Sequence, residues 1–150
     1  MGSVEDRGAD EVRVGLDDGR MGAAVSRSAE KGAKFETMVV RYLQRVLGPA
    51  IERRVKHGTK DQGDVSGVYI DGMPVVLELK NRRKMELAEW IGEAETERGN
   101  ADAEYGVVVH KRRGCGEAHV GDNYVTMTLE TFAAIVAHGH EYLGIDGNER

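Results

Sequence analysis

Three charged residues sit where the surrounding sequence is apolar. The segment "GDVSGVYIDGMPVVLELKNRRK", residues 63 to 84, is rich in β-formers, yet it carries Asp64, Glu78 and Lys80. Side chains on a strand alternate faces, so Val75, Leu77 and Leu79 point one way and Val76, Glu78 and Lys80 the other. Asp71-Gly72 is a hairpin turn signal, which folds the preceding segment back alongside. Asp64 then lies about as far from the turn as Glu78 and Lys80 do on the other arm, and can sit across from them. Two carboxylates beside a lysine are costly in a core and useful in a site. Carboxylates are hard oxygen ligands suited to Mg²⁺ or Mn²⁺, and such an ion relieves their mutual repulsion. A lysine next to it can orient or deprotonate an attacking water, or stabilise charge developing on a phosphate. Those are the parts that phosphodiester hydrolysis requires. A D…E-x-K spacing alone is common among surface ion pairs. What favours the catalytic reading is its place at the end of an apolar strand, after a hairpin turn.

The elements that would hold these residues follow from periodicity. Phe35, Met38, Val39, Tyr42, Leu43, Val46 and Leu47 recur at helical spacing, with Ser28 as the expected N-cap and Gly48-Pro49 as the stop. "ERRVKHG" reads as a short strand, and "DVSGVYI" and "PVVLELK" as the two arms of the hairpin. "MELAEWIGEAETERG" reads as a helix with Leu87, Trp90, Ile91 and Ala94 on one face. "YGVVVHK" has the continuous apolar character of a central strand. "RRGCGEAHVGDN" is a glycine-rich loop, "YVTMT" another strand and "LETFAAIVAHG" a last helix. The order α-β-β-β-α-β-β-α predicts an α/β fold: a central mixed sheet flanked by helices, with Tyr105–His110 parallel to Pro74–Lys80 through a helical crossover. Residues 1–27 are expected to form a disordered acidic tail, 28–144 one domain, and 145–150 a frayed C-terminus.

Composition sets the outer limits. A chain of 150 residues, 40% hydrophobic and 31% charged, suits one domain with a real core. No apolar run approaches the roughly 20 residues of a membrane-spanning helix, so no membrane partner is expected. The start lacks a secretory pattern, and the single Cys115 allows no internal disulfide, so the expectation is a cytoplasmic protein. The net charge of −5 is uneven: Arg53 to Lys84 holds eight basic and four acidic residues. Arg82, Arg83 and Lys84 follow one central strand, and Lys111, Arg112 and Arg113 follow the strand read as parallel to it. Parallel neighbours end on the same side, so both clusters should frame the site and bind phosphates without regard to base sequence.

With these residues in place, the chain resembles the PD-(D/E)XK nuclease superfamily, through "GD" followed by "VVLELK" and an αβββαβ core, the restriction-endonuclease-like arrangement. "KGAKFETMVVRYLQRVLG", "GTKDQGDVSGVYIDGMPVVLELKNRRK" and "YGVVVHKRRG" together resemble the archaeal-type and phage Holliday junction resolvases, over about residues 30 to 113. The resemblance implies a Mg²⁺-dependent endonuclease acting on branched or double-stranded DNA, with Mn²⁺ able to substitute, working as a homodimer. It implies that Asp64 and Glu78 bind metal, that the Leu79 carbonyl and the helical Glu36 complete the ligands, and that Lys80 is the catalytic lysine. Lys34 and Thr59 join the six basic loop residues as expected DNA contacts. The chain departs from the family pattern at Thr37, where an arginine is frequent, and at Gly63, where the motif proline or its equivalent stands.

Other readings remain open. Another DNase on the same fold, exonuclease or restriction-like, would need the same residues, as would a non-catalytic DNA-binding protein with a relic site. The acidic helix face of Glu86, Glu89, Glu93 and Glu97 reads as solvated, with Glu93 the candidate if that helix contributes to the site. His57 lies in the loop before the site and is a possible phosphate contact. Trp90 reads as a core anchor. Phe132, Ile135 and Val136 are core or dimer interface.

Overall fold

A computed structural model describes residues 18 to 56 and 58 to 144, so the expectations for the outer tails and for His57 lie outside the described residues. Helix α1 spans Asp18–Leu47 and buries Phe35, Val39 and Val40. It starts ten residues before Ser28, which is therefore not its cap, and residues 18–27 of the expected tail are helical. That first part buries no apolar face: residues 20 to 30 are exposed throughout. Arg20, Met21, Ala23 and Ala24 are good helix formers, and they need only extend a helix already nucleated by its buried half.

The sheet has six strands: β1 Glu52–Arg53, β2 Val65–Ser66, β3 Tyr69–Ile70, β4 Met73–Lys80, β5 Tyr105–His110 and β6 Tyr124–Thr126. Their order is β1-β2-β4-β5-β6, with β3 also paired to β4. Every pairing is antiparallel except β4 with β5, which is parallel across the crossover helix α2, Leu87–Asn100. The sheet is thus mixed and central, as the order of elements implied. The hairpin turn has positive φ at both Asp71 (52°) and Gly72 (79°), the backbone that a two-residue turn between twisted strands needs. The arm before it is two short strands where the sequence predicted one. The break falls at Gly67, whose φ of 86° and close approach to the Ala50 backbone leave no room for a ladder residue.

Both sheet faces are covered. On one, Phe35 and Val39 of α1 pack on Val75, Leu77, Leu79, Val107 and Val109, and Ala134 of α3 (Leu129–Val136) joins them. On the other, Trp90 and Ala94 of α2 pack on Val108. Gly106 permits that close helix–strand contact, since a Cβ there would lie 2.8 Å from the Ala94 carbonyl oxygen. No helix among the described residues is long and apolar enough to cross a membrane.

Candidate active site

The pairing of Val65 with Leu77 sets the register of the site. It brings Asp64 level with Glu78: the Asp64 N–H donates to the Leu77 carbonyl (3.0 Å), and the Leu79 N–H donates to Asp64 Oδ2 (2.8 Å). Asp64 thereby takes up a β4 amide at the point where β2 begins. The residue before it must turn sharply. Gly63 has φ 85°, and a Cβ there would lie 2.7 Å from Val76 Cγ1. Proline, with φ fixed near −65°, could not take up this backbone.

Glu78 and Lys80 extend from β4 on the α2 side, with side chains only 10% and 14% exposed. Lys80 Nζ lies 2.7 Å from Glu78 Oε1 and makes a second ion pair with Glu93 of α2. Burial lowers the proton affinity of Lys80, but the two carboxylates outweigh it and the net shift is upward, so the ammonium is held charged. Asp64 is pushed up to about 7, first by burial and then by the neighbouring Glu78 carboxylate, against the opposing pull of the Leu79 N–H. Glu97 is pushed up to about 9, again by burial first and then by its contact with Glu78.

Glu36, Asp64, Glu78, Leu79, Lys80 and Arg82 line one cleft of about 530 Å³ between α1 and the end of β4. Glu36 is held there by Arg53, whose Nε donates to Glu36 Oε2 (2.6 Å) and whose Nη2 completes the ion pair. Behind Glu78 and Lys80, a second depression opens on the α2 side, bordered by Asp61, Glu93 and Glu97.

The expected DNA contacts divide. Arg82 lines the cleft and donates to Ser28 Oγ (3.2 Å). Lys34 and Lys111 line an adjoining depression with Lys31, linked to the cleft through Asn81. Lys34 pairs loosely with Glu117 (3.7 Å), and the Lys111 ammonium donates to the Cys115 carbonyl. Lys84 is paired with Glu86 (2.7 Å), and the Arg112 guanidinium lies over the Tyr124 ring. Arg83 and Arg113 are exposed, and Thr59 is exposed on a bend and does not line the cleft. The two basic clusters leave the sheet at the same end, where the Lys111 N–H donates to the Lys80 carbonyl (2.9 Å).

Two features of the site were missed from sequence. Glu97 does not belong to a solvated acidic face; it is 6% exposed, with Oε2 lacking a hydrogen-bond partner. The spacing Trp90, Ala94, Glu97 (i, i+4, i+7) places it on the buried stripe, and that was the available signal. Arg53 carried none, because its pairing with Glu36 depends on how β1 lies against α1.

Among the described residues, no group of three or more His, Cys, Asp or Glu stands at metal-ligand spacing. A cation would instead find two adjacent carboxylates, Asp64 and Glu78, whose repulsion it would relieve, with Leu79 at the cleft wall. That oxygen-only, part-protein set fits Mg²⁺, which binds through one or two carboxylates and keeps several waters. Arg53 engages Glu36 through Oε2 in both contacts, so ligation through Oε1 need not open the pair. Fold and site together define an α/β protein with a mixed sheet and a buried carboxylate–lysine cleft at the end of its parallel strand pair. The chain matches no protein-family model, no curated protein and no solved structure.

Proposed function

We propose that the chain is a divalent-metal-dependent endodeoxyribonuclease of the PD-(D/E)XK type, with branched DNA, four-way junctions above all, as its substrate. The observation that carries this reading is the convergence of Asp64, Glu78 and Lys80 on one cleft, with Asp64 fastened to Leu79 and Lys80 2.7 Å from Glu78. Asp64, Glu78 and the Leu79 carbonyl would hold Mg²⁺, with Glu36 supporting from α1. When bound, the ion supplies Lewis-acid polarisation of the phosphate and a nucleophile at neutral pH. Lys80 acts as a fixed cation and hydrogen-bond donor toward the charge that builds on the phosphate oxygens, because its carboxylate partners keep it protonated. Arg82 and the Lys31, Lys34 and Lys111 depression give the backbone on either side of the scissile bond a path of positive charge. The junction preference and the restriction-endonuclease-like assignment of the core rest on the sequence resemblance.

The test is cleavage of a labelled, immobile four-way junction against matched linear duplex in Mg²⁺ and in Mn²⁺, with Lys80→Ala and Asp64→Ala as controls. Paired symmetric nicks on the junction, lost in both variants, are expected. Equal cutting of the duplex would leave a nuclease but remove the junction preference. Binding without cutting in either metal would replace the reading with a DNA-binding protein.

A further inference from the structure

The register of the sheet leads from Lys80 to a second group of side chains. Lys80 of β4 lies level with His110 of β5, and His110 level with Tyr124 of β6. Residues level with one another across a sheet share a face, so the three form one row on the α2 side. Adjacent strands lie roughly 4.8 Å apart, which puts Tyr124 two strand spacings from Lys80.

The last two members of the row differ in cover. His110 is 5% exposed, its ring centroid 5.9 Å from that of Trp90 and 5.5 Å from that of Tyr124. A 2.8 Å hydrogen bond between Nε2 and Thr126 Oγ1 fixes the ring. Tyr124 is 48% exposed and stands on the edge strand, with no strand beyond it among the described residues. It is braced from within and open outward. A tyrosine held for packing looks different here: Tyr105 is fully buried, with its hydroxyl 3.5 Å from the Ala134 carbonyl. The other exposed tyrosines, Tyr69 and Tyr142, are braced by no second ring among the described residues.

The charge beside Tyr124 is positive. Lys111, Arg112 and Arg113 leave β5 next to it, and the Arg112 guanidinium lies 5.8 Å from its ring centroid. The Arg112 N–H donates to Asn123 Oδ1 (2.9 Å), which ties the basic loop to the residue before the tyrosine. A braced, half-exposed aromatic ring with a guanidinium at its side suits an unpaired nucleobase, because every base has a π-face and the cation can meet its phosphate. Within a linear duplex that face is covered by the neighbouring base pairs. At a branch it can be free.

We propose that Tyr124 is the stacking platform for an unpaired base at the branch of the DNA, with Arg112 on the adjoining phosphate and Lys80 toward the phosphate that is cut. The inference rests on the nuclease reading and deepens it, since it assigns the choice of branched over linear DNA to a named side chain.

The test is read as binding, so its failure is separate from a failure of cleavage. Full chains on an Asp64→Asn background, which leaves the DNA uncut, are titrated by fluorescence anisotropy against a labelled splayed duplex and a matched linear duplex. Tyr124→Ala should bind the splayed duplex about tenfold more weakly, the loss of one stacked base, and the linear duplex as before. Tyr124→Phe keeps the ring and should match its parent. Replacing the unpaired nucleotide at the branch by an abasic one should cost the parent the same tenfold, and cost Tyr124→Ala nothing further. That change is made in the DNA, so it keeps the test decisive if circular dichroism shows Tyr124→Ala unfolded. Equal weakening on both DNAs, an unchanged Tyr124→Ala, an abasic site without effect, or losses that add would each overturn the proposal. Failure of the nuclease reading would show instead as binding without cutting by the wild type in Mg²⁺ and Mn²⁺.

Discussion

Strands β4 and β5 lie side by side, run parallel, and are covered by the same helices, yet they are built differently. In β5 all six residues are buried, and from Tyr105 to Val109 every one is apolar or glycine; only His110 at the end is polar, and burial lowers its proton affinity. β4 matches it through Leu77 and then carries Glu78 and Lys80 at the positions level with Val108 and His110. β5 therefore shows what this environment asks of a central strand. The fold does not require the charges of β4; burial first, and then the Glu78 carboxylate, leaves Asp64 and Glu97 with proton affinities far above the ordinary carboxylate range. Residues that oppose stability while converging on one cleft are the pattern expected of a site selected for chemistry.

The sharpest way to break this comparison is Asp64→Asn. The amide oxygen can still accept the Leu79 N–H, but the charge is gone. Cleavage should fall on the order of 10³-fold, while the metal-free protein becomes more stable at pH 8. If the variant is instead destabilised, the site is an ordinary ion-pair network. On β5 the signs should reverse in kind. Val108→Ala removes two buried carbons and should cost about 2 kcal/mol. For a chain of this size that is roughly 4–8 °C in Tm, and a junction-cleavage assay below the transition should change little.

Gly63→Ala tests the join between the two regions. The substitution forces alanine into φ 85° and drives its Cβ against Val76. A loss of about 2 kcal/mol is expected from the left-handed strain and the overlap together. The displacement passes to Asp64 next in the chain, so cleavage should fall as well, unlike in Val108→Ala.

A smaller effect concerns pH. The Asp64 carboxyl holds its proton up to about 7 in the folded chain against 3.8 for an ordinary aspartate, so between those values the folded form binds more protons than the unfolded one. That part of the metal-free protein's stability is fully present below about pH 4 and is lost as pH rises toward 7. Glu97 extends the decline in the same direction, toward about pH 9. Denaturant midpoints measured in a chelating buffer across pH 5 to 8 should fall for the wild type. The slope should flatten in Asp64→Asn and again on adding Mg²⁺ to the wild type. A wild-type midpoint that rises over this range would show that these carboxyls are not strained.

Much of this contrast could be read in the sequence, and the reason is periodicity. The apolar run of β5, the alternation of β4 and the Asp71-Gly72 turn each announce their geometry locally, so the α/β order and the meeting of Asp64 with Glu78 followed. What escaped depends on contacts between distant elements. The first three turns of α1 are helical without an apolar face, so the pattern that locates helices is absent there. The pairing of Arg53 with Glu36, and the exposure of Phe132 and Val136 on α3, are set by tertiary placement. Glu97 was legible from its spacing and was read instead by its charge.

The smallest expected effect lies in the cover of β5. Thr128 caps α3, its Oγ1 accepting the Thr131 N–H (3.0 Å), and the buried Ala134 of that helix sits over Tyr105 at the start of β5. Thr128→Ala leaves the amide without that acceptor and should cost about 1 kcal/mol. The loss should be confined to stability, because α3 lies against the N-terminal half of β5, and the carboxylate–lysine cleft at the other end of the parallel pair. Thermal melts of the Thr128→Ala and Thr128→Ser chains check this, serine restoring most of the loss because its hydroxyl can accept the same N–H. If Thr128→Ala leaves Tm unchanged, the first turn of α3 is held by its packing and the cap is dispensable. If it lowers junction cleavage at a temperature where the chain is folded, the two ends of β5 are coupled, and the separation between a structural strand and a chemical one does not hold along its whole length.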